Sequence, residues 1–254
     1  MRLSVVTVCL NSQDTIRATI ESFLTQTHSD KELLVIDGAS SDATLDIVRS
    51  FGAPEIRIIS EKDAGVFDAM NKGLLQFGGD AVGFLNADDT FHDRHVLAAV
   101  DEALKNADVA FGDLLMVTDH ETKTVVREWR AGPFGRFAFQ RGWQPPHPGF
   151  FARRTIVQRV GLFDLSYKTA SDYDWMLRAL SLPDIRPAYL PRVLADFKMG
   201  GVSTRDWKAT LRGTQETLRS RRRHLGAPPI DAAVFLRLFR RLFQVRNFRR
   251  YYGN

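Results

Sequence analysis

Over its first hundred residues this chain alternates strand and helix patterns, and that alternation restricts its fold more than any other feature. "LSVVTVCL" (3–10) is a β-branched run ended by Asn11 and Ser12, which can cap a helix over roughly 14–26. "KELLVIDG" (31–38) reads as a second buried strand, followed by "ASSDATLDIVRSF", where Ser41 or Asp42 can cap a helix carrying Leu45, Ile47 and Val48. "IRIISE" (56–61) is a third strand, "GVFDAMNKGLLQF" (65–77) a helix, and "DAVGFLNADD" (80–89) a fourth strand and its end. Strands alternating with helices of this length predict βαβ units around a mainly parallel sheet. Ligands of such sheets bind beyond the carboxyl ends of the strands. Asn11, Asp37 and Asp88 stand at such ends and are expected to converge on one side of the sheet.

The pattern changes after residue 105. "VAFGDLLMV" (109–117) and "TKTVVREWR" (122–130) read as two strands around a polar turn at 119–121. Residues 131–149, "AGPFGRFAFQRGWQPPHPG", hold Gly, Pro, aromatics and Arg in a mixture that excludes regular structure. A loop of that length in a compact domain is functional or mobile. "ASDYDWMLRAL" (170–180) reads as a helix start and "VLADFKMGGVST" (193–204) as a late strand with a Gly-Gly turn. Two helices, about 205–224 and 231–252, are expected on either side of "GAPP" at 226–229.

Charge divides the chain at the same place. Residues 205–254 hold 13 Lys and Arg against 3 acids, whereas residues 1–204 hold 22 against 27. The basic excess therefore belongs to the tail, and a diffuse nucleic-acid surface over the whole protein is excluded. The lone Cys9 cannot form an intramolecular disulfide and argues against a Cys-based zinc site, which suits a reducing compartment. The opening "MRLSVVTVCLNS" is read as the first strand rather than as a signal peptide, because polar residues cut its apolar run short. No segment approaches the ~18 apolar residues of a membrane span.

Three groups of carboxylates are candidates for chemistry. Asp37 ends a buried strand, as a turn former or as a hydrogen-bond acceptor for a nucleotide base or ribose. Asn86, Asp88 and Asp89 end the next central strand. One of the aspartates can cap the helix near 93–104, or the group can hold a hard divalent cation through oxygen ligands, leaving positions for phosphate. Asp172 and Asp174 in "SDYDW" (171–175) are two apart on a helix start and so face different sides. One of them can serve as a general base for an alcohol, the other as a first-turn carboxylate. His147, in "QPPHPG", is a candidate to touch an acceptor or a diphosphate, or a structural loop residue.

Taken in order, these motifs resemble the family 2 inverting glycosyltransferases of the GT-A fold. "VVTVCLNSQDTIRATIESFLTQTHSDKELLVIDGASSDAT" is similar to their nucleotide-binding half. "SEKDAGVFDAMNKG", "GFLNADD", "HPGFFARR", "GLFD", "ASDYDW" and "FKMGGVS" then follow in the family's order, over about residues 2–204. The resemblance implies an α/β, Rossmann-like nucleotide-diphospho-sugar transferase fold, with a central mainly parallel sheet, flanking helices and a C-terminal helical appendage. It implies a GT-A domain over 1–204, with a nucleotide-binding half (1–105) and an acceptor half (106–204), and a basic tail over 205–254. Thr7, Cys9 and Asn11 would line the base and ribose pocket, and Asp37 would bind the base, usually uracil. Asp63 and Asn71 would belong to the segment closing over nucleotide and donor sugar. Asp88 would coordinate Mg²⁺ or Mn²⁺, with Asn86 near the ribose and Asp89 near the donor sugar. Asp172 would be the catalytic base, with Asp174 its rival.

The sequence departs from the family pattern at Asn86, where an Asp is usual, and at Ser171, where a Glu is usual. These two departures motivate a second reading, a non-catalytic GT-A subunit of an envelope-assembly complex. A nucleotidyltransferase is disfavoured, because the first strand lacks a Gly-rich, Arg- or Lys-bearing loop. "QRGW" (140–143) precedes the acidic pair, unlike the motif of processive synthases, so the transfer of single sugars is expected. The resemblance implies a nucleotide sugar donor, an acceptor that is a saccharide or lipid-linked, and a place in cell-surface polysaccharide synthesis. In the tail, Phe235, Leu236, Leu238, Phe239, Leu242, Phe243 and Val245 share one half of a helical wheel. Six Arg and no acid follow Asp231. Residues 231–254 either pack on the domain or lie on an anionic membrane, where each basic residue contributes ~1 kcal/mol. The second alternative places the protein in the cytoplasm, peripheral on the inner face of the membrane.

Overall fold

The computed structural model describes residues 1–119, 124–199, 207–228, 231–233 and 236. In chain order the elements are β1 (Leu3–Cys9), α1 (Ile16–Leu24), β2 (Lys31–Asp37), α2 (Thr44–Ser50), β3 (Ile56–Ser60), α3 (Val66–Gln76), β4 (Ala81–Phe84), β5 (Thr90–Phe91) and α4 (Val96–Leu104). There follow β6 (Val109–Val117), β7 (Val125–Trp129), a 3-10 turn at Phe139–Arg141, β8 (Phe150–Arg153), α5 (Arg154–Val160), α6 (Ser171–Leu180), β9 (Pro187–Lys198) and α7 (Trp207–Leu225).

Among the described residues all nine strands join one sheet in the order β3-β2-β1-β4-β8-β6-β9-β5, with β7 paired to β6. The first four run parallel, β8 is antiparallel to both neighbours, and β6 and β9 are again parallel to each other. This is the mainly parallel α/β architecture expected, with a C-terminal helix after it. Both faces of the central strands β1, β2 and β4 are buried, so these strands read as near-continuous apolar runs, and alternate residues serve opposite cores. Val6, Leu34, Ile36 and Phe84 face a core shared with α3 and α6. Leu3, Val5, Leu33 and Val35 face the other, shared with α1, α2 and α4. Gly73 brings α3 against β1, where a Cβ would stand 2.5 Å from a Val6 methyl.

Two local expectations are corrected. Asn11 and Ser12 do not cap α1, whose N-cap is Thr15; Asn11 instead adopts a left-handed backbone (φ 51°) and turns toward the loop after β2. Neither Asp88 nor Asp89 caps α4, because β5 intervenes and the helix begins at Val96, with Asp93 accepting from the N–H of His95. The expected helix over 231–252 lies outside the described residues, apart from 231–233 and 236, as does the Gly-Gly turn at 200–201. Among the described residues no helix is long and apolar enough to cross a membrane.

Candidate functional site

The carboxyl ends of β1, β2 and β3 lie in register, with Cys9 beside Asp37 and Asp37 beside Ser60. Register partners point to the same side, so the three polar groups meet. Asp37 is fully buried and accepts hydrogen bonds from the Ser40 hydroxyl and N–H, from the Ser60 hydroxyl at 2.7 Å and from the Cys9 thiol at 3.6 Å. Burial works to raise its carboxyl, and these donors outweigh burial and hold it below the usual carboxylate range. Burial and the neighbouring Asp37 charge push the Cys9 thiol up to about 12. Asp37 thus holds Cys9, Ser40 and Ser60 together through its oxygens at the ends of β1, β2 and β3.

The loop it organises is strained. Ala39 has φ 65°, and Asn11 opposite it has φ 51°, a backbone region costly for residues with a Cβ. The two are locked together: Asn11 N–H donates to Ser40 Oγ at 2.8 Å, and Asn11 Oδ1 accepts from Ser41 N–H at 2.9 Å. Asp63 approaches from the β3–α3 loop, over Gly38, where a Cβ would stand 2.5 Å from its Oδ2. Its Oδ1 accepts from Gly65 N–H at 2.8 Å. Thr7 is buried below, on the same face of β1 as Cys9, with its Oγ1 unpartnered among the described residues.

At the end of β4, Asp88 is half-buried while Asp89 is fully buried. Asn86 Nδ2 donates to Asp89 Oδ2 at 3.0 Å, and Lys198 N–H, at the end of β9, donates to Asp89 Oδ1 at 3.2 Å. Thr19 of α1 fixes the turn from below, donating to Asp89 O at 2.7 Å. Burial, then the charge of Asp88, push the Asp89 carboxyl well above its ordinary range, with Asp196 adding to the effect. Asp89 therefore shapes the turn rather than facing outward, and Asp88 is the aspartate of this pair left toward the surface.

Asn71 is buried and bonded within the protein. Its amide makes a two-way bond with the backbone of Phe163, donating to the carbonyl at 3.0 Å and accepting from the N–H at 2.8 Å. It pins the "GLFD" segment to α3, across 92 residues of sequence.

The acidic pair of α6 separates as the helix period demands. Asp174 is buried, with Oδ2 accepting from Arg178 at 2.8 Å and Oδ1 from Ser220 at 2.8 Å and paired to His224 at 3.1 Å. Ser171 is also buried, donating to Asp164 O at 2.9 Å. Asp172 stays out of that network, half-buried in the first turn of α6, where the helix dipole favours a carboxylate. Its charge reaches His147, whose ring stacks on Phe84 (centroids 5.1 Å apart) and meets the edge of Phe163 (6.0 Å). Burial lowers the affinity of His147 for a proton more than Asp172 restores it, so the ring is neutral. His147 thus bridges the end of β4 and the start of α6. Only its setting between two Pro residues marked it in the sequence.

The arrangement gathers Thr7, Cys9, Asn11, Asp37 and Asp63 at one group of strand ends, Asn86, Asp88 and Asp89 at the adjoining one, and Asp172 across His147. Comparison with known proteins identifies the family. The family model described as Glycosyl transferase family 2 matches residues 4–163. A PGL/p-HBAD biosynthesis glycosyltransferase of Mycobacterium tuberculosis is 33% identical over 208 residues, covering 79% of this chain and 78% of its own. An uncharacterized glycosyltransferase of the same species is 31% identical over 213 residues, covering 80% and 77%. The fold is shared with Staphylococcus aureus TarS in complex with UDP-GlcNAc, at TM-score 0.67 and 18% identity over 99% of this chain and 76% of that one. It is equally shared with a mannosyltransferase of Pyrobaculum calidifontis in complex with GDP-Man and Mn²⁺, at TM-score 0.67 and 18% identity over 97% and 72%.

Proposed function

The chain belongs to glycosyl transferase family 2, and from that premise we propose that it moves one sugar, with inversion, from a nucleotide-diphosphate sugar to a hydroxyl of a lipid-linked or saccharide acceptor. The observation that carries this reading is the division of labour in α6: Asp174 is consumed by Arg178, Ser220 and His224, and Asp172 is kept toward His147 and the end of β4. Asp172 takes the proton from the acceptor hydroxyl as its oxygen attacks the anomeric carbon from the face opposite the leaving diphosphate. The nucleotide lies over the ends of β1 and β2, against Asn11, Asp63 and the loop that Asp37 orders. A uracil base is favoured by the resemblance, and UDP-GlcNAc and GDP-Man are the donors held by the two solved structures.

A divalent cation fits the end of β4. Among the described residues no three acidic, His or Cys side chains form a ready-made cage. A Mg²⁺ or Mn²⁺ bound through one carboxylate and substrate phosphates needs none. Asp88, half-buried at the end of β4, would supply that carboxylate. Bound with the donor, such an ion offsets charge growing on the leaving phosphate.

The departures that motivated a non-catalytic reading have structural employment: Asn86 donates to Asp89, and Ser171 closes the loop before α6. The basic segment after Asp231 suits an anionic membrane surface, which would present a lipid-linked acceptor, and salt-sensitive binding to anionic vesicles tests that placement. The relatives' role in PGL/p-HBAD biosynthesis supports a substrate of the cell envelope. The decisive experiment screens UDP-glucose, UDP-N-acetylglucosamine and GDP-mannose for thermal shift with and without Mn²⁺, then follows release of the nucleoside diphosphate. Release that survives both Asp88→Ala and Asp172→Asn would sink the proposal.

A further inference from the structure

Helix α7 lies beyond the span matched by the family model, yet it grips the segment that carries Asp172. The start of α6 is weakly specified by its own sequence: the N-cap is Ala170, which has no side-chain oxygen to receive backbone N–H groups and is among the poorest residues for that position. A carboxylate from another helix instead anchors the backbone that leads into α6. Glu216 Oε1 accepts from Lys168 N–H at 2.9 Å, and Oε2 accepts from Thr169 N–H at 2.8 Å, Ala170 N–H at 3.0 Å and the Thr169 hydroxyl at 2.9 Å. Three consecutive N–H groups converging on one carboxylate fix the backbone just ahead of Asp172. Burial tends to raise the Glu216 carboxyl, but these four donors outweigh it and keep the group charged. The same helix holds both flanks of the segment, through Arg223 to Asp164 at 3.0 Å and through Ser220 to Asp174.

We propose that Glu216 is a positioning residue for sugar transfer: by gathering the N–H groups of Lys168, Thr169 and Ala170 it sets where the Asp172 carboxylate stands relative to the acceptor. The inference rests on the reading of Asp172 as base. Displacing a reacting group by about 1 Å can cost ~100-fold in rate. Glu216→Gln turns an NH₂ toward a cluster of donors and cannot accept all four bonds.

The test is a double-mutant cycle on the full chain between Glu216→Gln and Asp172→Asn. It uses whichever of UDP-glucose, UDP-N-acetylglucosamine or GDP-mannose gives nucleoside diphosphate release with Mn²⁺. E216Q is expected to lower kcat at least 10-fold while KM for the donor and Kd for the free nucleoside diphosphate change less than 2-fold. In the D172N background the same substitution is expected to change the residual rate by less than 2-fold, because it acts through Asp172. A role in folding alone would reduce activity alike in both backgrounds, and that result overturns the proposal, as does an E216Q enzyme with wild-type kcat. If E216Q is insoluble, Glu216→Asp carries the same cycle, keeping the charge one methylene short, with a smaller loss of kcat expected. A D172N enzyme with full activity, or turnover with none of the three donors, would remove the underlying assignment and this inference with it. An inactive D172N beside an unaffected E216Q would remove only the inference.

Discussion

Asn86 Nδ2 donates to Asp89 Oδ2 at 3.0 Å, so the amide at the end of β4 serves the buried carboxyl of its own turn. The substitution that looked like a weakened metal site in the sequence is a hydrogen-bond donor that Asp89 requires. Replacing it by an acid would set a third carboxylate against Asp88 and Asp89 and leave Asp89 short of a donor. Asn86→Asp is expected to destabilise the fold by about 1–3 kcal/mol at neutral pH, measured by urea unfolding. Burial makes the Asp89 carboxyl favour the protonated form in the folded state, so the loss should shrink as pH falls and grow as it rises. A variant as stable as wild type at pH 7.5 would show that Asp89 finds another donor.

The two aspartates of α6 should fail in different ways. Asp172→Asn is expected to reduce turnover by roughly 10²–10⁴-fold, the range for loss of a general base, with an unchanged melting temperature. Asp174→Asn leaves Arg178 and His224 without their carboxylate and should cost about 3 kcal/mol of stability, with turnover per folded molecule largely kept. Reversal of that pattern would make Asp174 the base.

His147 should contribute to acid sensitivity. Its pKa lies below the ordinary 6.5 because burial disfavours the charged ring. A group whose folded pKa is depressed adds stability above its unfolded pKa, and that stability is lost as pH falls below about 6.5 toward the folded value. His147→Phe, which can keep the stack on Phe84, is expected to flatten the stability curve between pH 6.5 and 5. An unaltered slope in that window would show that His147 is protonated as readily in the folded protein as in the unfolded chain.

Cys9 should be inert until the fold opens. It is buried, it donates to Asp37, and its thiol is pushed up to about 12. Thiolate is the reactive species, so native protein is expected to resist iodoacetamide at pH 8 while urea-unfolded protein is alkylated rapidly. Mass spectrometry of the two samples distinguishes these outcomes; rapid native labelling would mean that the ends of β1 and β2 separate readily.

Much of the architecture was legible because strand and helix periods are local. The strand runs read at 3–10, 31–38 and 56–61 became β1, β2 and β3 within a residue, and the polar residues ending them did meet at one edge of the sheet. Helix caps were read less well: Asn11 bonds to Ser41 and Asp89 is buried in its own turn, since cap chemistry and loop chemistry draw on the same short polar side chains.

The sequence by itself determined that a mainly parallel sheet would set Asn11, Asp37 and Asp88 at neighbouring strand ends, and that Asp172 and Asp174 would face apart, because both statements follow from the geometry of one strand or one helix. Which aspartate is drawn into a buried side-chain network was decided only in three dimensions, by Ser220 and His224 some fifty residues later in the chain. So were the bonding of Asn71 to Phe163 and the anchoring of the backbone ahead of α6 by Glu216. A carboxylate or an amide has the same local signature whether it binds a ligand or a distant backbone. Its role is settled by which partner the folded chain brings within hydrogen-bond reach.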